Sequence, residues 1–532
     1  MCGIVGIASS ANIPDRSWLG AARDAMLHRG PDDAGEWWSE DGRVGLAHRR
    51  LAILDLSSHA HQPMQRTDRS LTIVFNGEIY NFKELRRELS GQGHVFQSQS
   101  DTEVLLSSYV QWGTDCLGHL NGMFAFAIYD AARHLVFLAR DRAGEKPLFY
   151  HLVDGTLCFA SELKALLTNP KMPRCIDTEA LDCYLTMGFV PGERCILAGY
   201  KKLPPAHSLT FNLNNGSVRI LRYWQLPDLA PDATCDEQDL LVELEKLLED
   251  AVSRQMVADV PVGILLSGGV DSSLITAMAA RKSTRVRTFT IGFSEHTKFD
   301  ERPHARLIAR YFGTDHTELV AEPSVADLLP NLARQFDEPM VDSSVLPTWM
   351  VSNLVRQHCR VALGGDGGDE LFGGYPHYTQ LLWMRKWLGF IPLVLRTNLA
   401  LTAERLLPLE GGSNFRDLGG YRSDANFGNG VRLLSSSFTL HSREGRGKYF
   451  DEIALHTQGL GNDPYQSAGF RLQKNRLYRY DLLWRSTEYY NPALPISGGQ
   501  HFLDTQRRLQ DHDFVLFPQS RFRFFAGYSR NS

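Results

Sequence analysis

Residues 260–273, VPVGILLSGGVDSS, decide the fold of the second half of the chain. Residues 260–266 are an apolar run, Gly268 and Gly269 form a turn, and residues 272–281 have apolar side chains at helical spacing. The segment therefore predicts a strand, a turn and a helix. Backbone N–H groups at the start of such a helix can bind phosphate oxygens, because the positive end of the helix dipole lies there.

Strands and helices alternate on both sides of this segment. Helices are predicted for residues 239–256, 302–312 and 346–358, and strands that end at glycines for residues 286–293 and 360–363. This alternation favours a doubly wound parallel sheet, an α/β fold in which ligands bind at the carboxyl ends of the strands.

The first part of the chain has a different pattern, which predicts a mixed α+β domain. Short strands are expected at 71–75, 123–129 and 135–139, and helices at 81–89 and 102–111. Residues 225–238 are rich in Pro and Asp and lack periodicity, so we interpret them as a linker. The expected domains are therefore 2–224, 239–480 and a divergent tail, 481–532.

Composition excludes several classes of protein. With 43% hydrophobic and 22% charged residues the chain is globular, and its net charge of -5 does not suit a nucleic-acid partner. No apolar run is long enough for a membrane span, and the amino terminus has no basic segment leading into an apolar core, so we expect no secretory signal. The eight cysteines show no metal-like spacing, so we expect reduced thiols and a cytoplasmic protein.

Cys2 stands out by its position behind the initiator methionine. A small residue there generally allows the methionine to be removed, which leaves a thiol and a free α-amine on one residue. An α-amine has a reference pKa near 8, so it can accept the thiol proton near neutral pH. The alternative is an ordinary buried cysteine.

Five ordered motifs begin at this cysteine: CGIVG at 2–6, HRGPD at 28–32, HRRL at 48–51, NGEIYN at 76–81 and SDTE at 100–103. With them the chain resembles the amino-terminal-nucleophile glutaminases of the asparagine synthetase family. The resemblance implies a four-layer αββα sandwich in which Cys2 attacks the side-chain amide of glutamine. The products of that attack are a γ-glutamyl thioester and ammonia.

The matching residues suit this chemistry. The Asn76 side chain and the Gly77 N–H are expected on a tight turn as donors to the oxyanion, and the resemblance implies that Arg50, Glu78 and Asp101 bind glutamine. Each residue also has a structural interpretation. Asn-Gly is typical of hairpin turns, Arg50 could form a surface ion pair, and Asp101 could cap a helix.

The segment SGGVDSS at 267–273 resembles the pyrophosphate loop of enzymes that split ATP between its α and β phosphates. It lacks the lysine of the P-loop, and its alternative is a plain strand-to-helix connection. The resemblance implies two Mg²⁺ ligands, Asp271 and Asp369, and a catalytic Asp366 where many family members have Glu. The implied ATP site contains Leu265, Ser267, Gly268, Gly269, Asp271, Ser272, Ile291, Gly292, Gly365 and Asp366.

Residues 338–344, EPMVDSS, are similar to the stretch that lines the acceptor pocket in this family, with a polar loop as the alternative. The implied acceptor residues are Asp342, Ser343, Ser344 and Tyr375. The implied reaction adenylates the β-carboxylate of aspartate and then transfers ammonia to it, releasing asparagine, AMP and pyrophosphate. A different carboxylate as acceptor, or an impaired synthetase domain, remains an alternative, and a homodimer is left open.

The resemblance becomes weak after Tyr378. In the family this later region contains a Lys-Val-Asp-Arg-Ala segment, a Leu-Asp-His segment and a lysine that steadies negative charge during adenylation. None of the three has a counterpart that we can place. Residues 515–532 are aromatic and Arg-rich without a helical or strand period, so we expect them to be poorly folded.

Overall fold

The structure is a computed structural model, which describes residues 1–227, 236–283, 285–293, 300–321, 332–342, 344–375, 378–379, 381–383, 433–441, 451–460, 465–474, 477–489, 505–518 and 524–531. They belong to two compact units, Met1–Gly368 and Asp369–Ser532. Among the predicted site residues, Ser343 lies outside the described residues.

The first part of unit 1 contains two six-stranded antiparallel sheets, one in the order β10-β8-β9-β1-β3-β2 and the other in the order β12-β11-β7-β6-β5-β4. Their strands are β1 (Gly3–Ser9), β2 (Asp33–Trp38), β3 (Val44–Arg50), β4 (Met64–Gln65), β5 (Leu71–Ile79), β6 (Gly122–Asp130), β7 (Leu135–Arg140), β8 (Phe149–Val153), β9 (Thr156–Ala160), β10 (Tyr200–Lys202), β11 (His207–Asn212) and β12 (Val218–Arg222).

Helices cover the outer faces of these sheets. They are α1 (Ser17–Asp24), α2 (Phe82–Gly91), α3 (Asp101–Trp112) and α4 (Leu163–Leu166). A further helix, α5 (Thr178–Met187), follows in the chain with Ala180 as its buried residue. One buried apolar cluster joins β5 to α2 and α3, a second lies between the two sheets, and a third joins β1 to α1 and α4. Three cores between four layers confirm the predicted αββα sandwich.

The alternation of side chains along β5 explains how one strand serves two cores. Phe75 and Ile79 pack toward the helices, whereas Val74 packs between the sheets. Successive side chains of a strand point to opposite faces, so Asn76 and Glu78 share the face of Val74. The sandwich therefore presents these two polar residues on its inner side.

The remainder of unit 1 is the predicted parallel α/β fold. Its four-stranded sheet has the order β15-β14-β13-β16, and all three neighbouring pairs are parallel. From β13 the chain adds β14 and β15 on one side of the sheet and β16 on the other. The order of the strands therefore switches between β13 and β16, and folds of this kind bind ligands in the crevice at that position. The elements are α6 (Glu237–Gln255), β13 (Val262–Leu265), α7 (Val270–Lys282), β14 (Arg287–Phe293), α8 (Arg302–Phe312), β15 (Asp315–Ala321), α9 (Val345–Val355) and β16 (Val361–Leu363).

A six-stranded antiparallel meander forms most of the described part of unit 2, and the sequence did not predict it. The short helix α10 (Gly368–Phe372) lies at the boundary of the two units, and the strands are β17 (Leu433–His441), β18 (Glu452–Leu460), β19 (Tyr465–Lys474), β20 (Tyr478–Tyr489), β21 (Thr505–Leu516) and β22 (Phe524–Asn531).

The expectation of a poorly folded tail was therefore wrong for its described residues. Strands β21 and β22 pair from Leu509 with Asn531 to Leu516 with Phe524. Val515 is buried, whereas Leu516 is 36% and Phe524 is 64% exposed, so apolar side chains occupy both faces. A sheet of this kind lacks the alternation of apolar and polar residues by which a strand is recognised.

None of the helices in the described ranges is both long and apolar enough to cross a bilayer.

Candidate active site

Cys2 lies directly before β1, in a small pocket of the sandwich. Its sulfur accepts the Leu51 N–H at 3.4 Å, and the thiol lies 3.8 Å from the Leu51 carbonyl oxygen. The same pocket is lined by four other residues that the sequence predicted, Arg50, Gly77, Glu78 and Asp101. Residues that are up to 99 positions apart in sequence thus meet around one sulfur atom.

Burial controls the protonation of the amino terminus. It raises the pKa of the Cys2 thiol, an effect that the neighbouring amine opposes. Burial also lowers the pKa of the Met1 amine to about 6, helped by the nearby cations Arg29 and Lys146. Removal of Met1 brings the Cys2 amine into this environment, which favours the neutral form that can accept a proton from the thiol.

Asn76 and Gly77 lie inside β5, paired with Ala125 and Phe124 of β6, so the predicted tight turn and its hairpin alternative are both wrong. A Cβ atom on residue 77 would lie 2.2 Å from the Met123 carbonyl oxygen. Glycine is therefore required here by the close approach of a neighbouring strand. The Asn-Gly pair wrongly predicted a turn, because the strand that pairs with it, β6, is distant in sequence.

The Asn76 side chain is fully buried, and its amide nitrogen and oxygen both lack a hydrogen-bond partner in the described part of the chain. An unpaired buried polar group costs about 1–3 kcal/mol. A fold that keeps two such atoms in one side chain is typical of a site that completes its hydrogen bonds with a ligand. The amide suits a developing oxyanion.

Arg50 is 7% exposed, so the surface ion pair considered from the sequence is excluded. Its guanidinium donates to the backbone carbonyls of Ser57 at 3.1 Å and Leu54 at 3.3 Å, and also to that of Asp55. These bonds fix the side chain but do not neutralise its charge. Arg50 is thus oriented to bind a carboxylate that enters the pocket.

Glu78 and Asp101 place two carboxylates in the same pocket. Burial, together with the charge of Asp101, holds the pKa of Glu78 well above its usual range, and burial raises the pKa of Asp101 to about 6. Asp101 accepts the Ile79 N–H at 3.0 Å, while the helix cap is Ser100, so the capping alternative for Asp101 is wrong. Two carboxylates in one pocket, Asp101 buried and Glu78 half-buried, favour a cationic ligand group such as an ammonium.

Sequence reasoning assigned no role to Arg29, although it quoted the motif that contains it. The Arg29 Nε donates to the Cys2 carbonyl at 2.8 Å, and its Nη1 pairs with Glu162 at 2.9 Å. Glu162 is separated from Arg29 by 133 positions, and no local pattern indicates this contact. Lys146, which is 5% exposed and has its Nζ 3.3 Å from the Met1 sulfur, was missed for the same reason.

The predicted nucleotide loop follows β13. Gly268 has a φ of +83°, and a Cβ atom there would lie 2.6 Å from the His304 Cβ. The hydroxyls of Ser267 and Ser272 lie 2.9 Å apart, and Ser267 accepts the Gly269 N–H at 3.2 Å. The loop is thereby held in one shape at the start of α7, which has 13 residues.

The loop that follows β16 meets the nucleotide loop at the crevice. Cβ atoms on Gly365 and Gly368 would lie 2.9 and 2.7 Å from the Cβ and Cγ atoms of Asp271. Two glycines thus admit the Asp271 carboxylate, while Asp366 is exposed in the same loop. Leu265 ends β13, and Ile291 and Gly292 lie near the end of β14, where a Cβ on Gly292 would meet the Arg302 Nε at 2.3 Å.

The remaining predicted metal and acceptor residues that the structure describes are Asp369, Asp342, Ser344 and Tyr375. Asp369 begins unit 2. In the described ranges no three His, Cys, Asp or Glu side chains converge on a metal-binding position. That arrangement is compatible with Mg²⁺, which often uses one or two carboxylates together with substrate phosphates and water. Asp342 accepts the Ser344 N–H at 2.8 Å, and the Tyr375 hydroxyl donates to Glu370 at 2.7 Å.

The sandwich with its amino-terminal thiol pocket and the parallel sheet with its glycine loop define the class of two-domain glutamine amidotransferases. The family profile described as glutamine amidotransferase domain matches residues 1–224, and the profile described as asparagine synthase matches residues 243–487. The chain belongs to the glutamine-hydrolysing asparagine synthetase family. Membership identifies it as an ATP-dependent ligase that takes its nitrogen from glutamine.

Curated relatives support this assignment. A Methanocaldococcus jannaschii protein, provisionally named glutamine-hydrolyzing asparagine synthetase 2, is 38% identical over 70% of this chain and 76% of its own length. The Bacillus subtilis asparagine synthetases 3 and 1 are each 37% identical over 72% of this chain. The chain spans 66% and 60% of the lengths of those two enzymes.

Proposed function

We propose that Cys2 hydrolyses glutamine and that the ammonia amidates β-aspartyl-AMP, made from aspartate and ATP, to give asparagine. The observation that carries the proposal is the pocket around Cys2. It combines a fixed cation, Arg50, with a pair of carboxylates, and the buried Asn76 amide lacks partners in the described chain. These groups complement the α-carboxylate, the α-ammonium and the reacting amide of glutamine.

In the first half-reaction the Cys2 α-amine takes the thiol proton, and the sulfur attacks the side-chain carbonyl carbon of glutamine. Arg50 binds the α-carboxylate, while Glu78 and Asp101 bind the α-ammonium. The Asn76 amide and the Gly77 N–H donate to the oxyanion as it forms. The protonated amine returns its proton to the leaving nitrogen, ammonia departs, and water then cleaves the thioester to glutamate and free thiol.

In the second half-reaction the loop at 267–269 binds the phosphates of ATP at the start of α7, and the end of β14 at Ile291 and Gly292 binds the adenine. Mg²⁺, with Asp271 and Asp369 as its proposed ligands, would neutralise phosphate charge. The aspartate β-carboxylate attacks the α-phosphate and displaces pyrophosphate. The proposed acceptor residues are Asp342, Ser343, Ser344 and Tyr375. Asp366 is the proposed catalytic residue of this adenylation.

The test is product identity. The purified chain is supplied with ATP, Mg²⁺, glutamine and either aspartate or another carboxylic acid, and pyrophosphate and amide are measured together. The proposal predicts equal amounts of pyrophosphate and asparagine. Pyrophosphate without asparagine in the presence of aspartate would favour another acceptor. Glutamate formation without any pyrophosphate would indicate an impaired synthetase domain, which the departure of the sequence after Tyr378 makes the second candidate.

We place the protein in the cytoplasm, because its seven described cysteines are all unpaired and such thiols suit a reducing compartment. A homodimer is the assembly to test by sedimentation.

A further inference from the structure

The strand β5 has a complete strand partner on one edge and a very short one on the other. On one edge β6 pairs with every residue of β5, from Leu71 to Ile79. On the other edge the described sheet contains only β4, whose two residues pair with Thr72 and Ile73. The rest of that edge needs other hydrogen-bond partners, because a buried peptide group without one is costly.

Side chains supply these partners on both sides of Gly77. The Phe75 N–H donates to the Gln62 Oε1 at 2.7 Å, and the Ile79 N–H donates to the Asp101 Oδ2 at 3.0 Å. Alternate residues of a strand direct their N–H groups to the same edge. Gly77 lies midway between Phe75 and Ile79, so its N–H points to this edge too. Because Gln62, Gly77 and Asp101 all line the thiol pocket, that N–H is directed into it.

Gln62 is fixed at both ends of its side-chain amide. It is 4% exposed, its oxygen accepts from Phe75, and its Nε2 donates to the Thr102 Oγ1 of α3 at 3.2 Å. The two bonds determine which way the amide faces, so the acceptor offered to Phe75 does not rotate freely. A fixed acceptor at Phe75 limits the movement of β5 directly before Asn76 and Gly77.

His48 binds the carbonyl oxygen of the same residue. It is fully buried in β3, and its Nε2 lies 3.0 Å from the Phe75 carbonyl oxygen. Burial lowers the pKa of His48 to about 3, so the ring is neutral at any pH at which the enzyme works. A carbonyl oxygen only accepts, so the one ring proton lies on Nε2. The bond joins β3 of one sheet to β5 of the other.

We propose that Gln62 and His48 are positioning residues that take the place of a neighbouring strand at this edge and aim the Gly77 N–H at the oxyanion. This inference rests on the proposed function, which assigns that N–H to the oxyanion. Neither side chain is charged, and the groups proposed to hold the ends of glutamine are different ones. Loss of either residue should therefore lower kcat for glutamine hydrolysis and leave Kd for glutamine nearly unchanged.

The experiment compares hydrolysis with binding of the aldehyde analogue of glutamine, in which a formyl group replaces the carboxamide. The Cys2 sulfur bonds to the aldehyde carbon and the thiol proton moves to the aldehyde oxygen, which gives a tetrahedral adduct with its oxygen at the oxyanion position. Gln62→Met removes the acceptor with little change in volume. It should lower kcat about tenfold or more and raise Ki of the aldehyde by a similar factor. Kd for glutamine, measured in chains that also carry Cys2→Ala, should change by less than about twofold.

Gln62→Glu is the conservative variant. Beside Glu78 and Asp101 its carboxyl should be protonated, and a protonated carboxyl forms the same two hydrogen bonds as the amide. It should recover most of the lost kcat. Gln65→Met is the matched control, because the Gln65 Nε2 lies 3.5 Å from the Thr72 Oγ1 on the same strand, outside the residues that line the pocket. It should hydrolyse glutamine at the original rate.

An unchanged kcat in Gln62→Met, or a Kd for glutamine that rises as much as Ki of the aldehyde, would overturn the inference. Thermal unfolding shows whether this variant folds; if it does not, His48→Met removes the other bond to Phe75 and supplies the same comparison. Absence of glutamate formation by the unmodified chain contradicts the proposed function. Normal hydrolysis in Gln62→Met contradicts the positioning role alone.

Discussion

Glu78 and Asp101 show how a side chain can be unfavourable for the stability of the fold and useful for binding a ligand. Asp101 is buried and Glu78 is half-buried in the same pocket, and burial raises the pKa of both carboxyls. The ammonium group of a ligand would supply the positive charge that stabilises the ionised carboxylates. Asn76 follows the same logic, since its buried amide has no partner in the described residues until a substrate oxygen arrives. Such residues conflict with stability and thereby indicate function.

Glutamine binding should weaken as the pH falls through about 6. The pKa of Asp101 is raised to about 6, so its ionised form, which we propose binds the ammonium, is present above that pH and is lost below it. Each lower pH unit should raise Kd for glutamine about tenfold. Calorimetry on the Cys2→Ala chain measures this without turnover. Asp101→Asn should bind more weakly and flatten the profile, and a pH-independent Kd in the parent would contradict the assignment.

Asn76→Leu should separate activity from stability. It replaces an unpaired amide by an apolar group of similar size, so the midpoint of thermal unfolding should stay the same or rise. Loss of an oxyanion donor should lower kcat for glutamine hydrolysis about 100- to 1,000-fold. Ammonium-driven synthesis should continue at the original rate. A variant that unfolds easily but hydrolyses glutamine normally would show that Asn76 is only structural.

At the scale of elements, the sequence predicted what periodicity determines. The helix expected at 302–312 is α8 (Arg302–Phe312), and the strand expected at 286–293 is β14 (Arg287–Phe293). Prediction from the sequence failed where pairing with another strand of the sheet determines the structure. Asn76 and Gly77 form a strand because β6 lies beside them, and β21 forms although it lacks alternation, because it pairs with β20 and β22.

The nucleotide loop depends on the backbone of Gly268, whose φ is +83°. Gly268→Ala would place a Cβ atom 2.6 Å from the His304 Cβ, so the loop must move. Pyrophosphate release should fall at least about tenfold, while glutamine hydrolysis continues. Gly313→Ala is the matched control, since its φ is +65° and a Cβ there meets nothing within 4 Å. It should lower stability only; equal loss of pyrophosphate release in both variants would contradict a specific role for the loop.

At the scale of the whole molecule, the two chemistries use separate surfaces of one chain. The thiol pocket lies in the sandwich, and the nucleotide loop lies at the carboxyl end of a parallel sheet. The motifs predicted five residues of the pocket, because each motif is a short continuous stretch of sequence that can be recognised by itself. They predicted neither Lys146 nor Glu162, and Glu162 lies 133 positions from Arg29, which it contacts. Contacts of that kind follow from the assembled fold and are absent from any single stretch of sequence.

Cys2→Ala tests the central claim most directly, with asparagine measured from aspartate and ATP when the nitrogen comes either from glutamine or from ammonium. The variant should make no asparagine from glutamine and should make it from ammonium at the rate of the unmodified chain. Continued use of glutamine, or loss of both activities in a variant that still folds, would contradict an amino-terminal cysteine that supplies ammonia to a separate synthetase site.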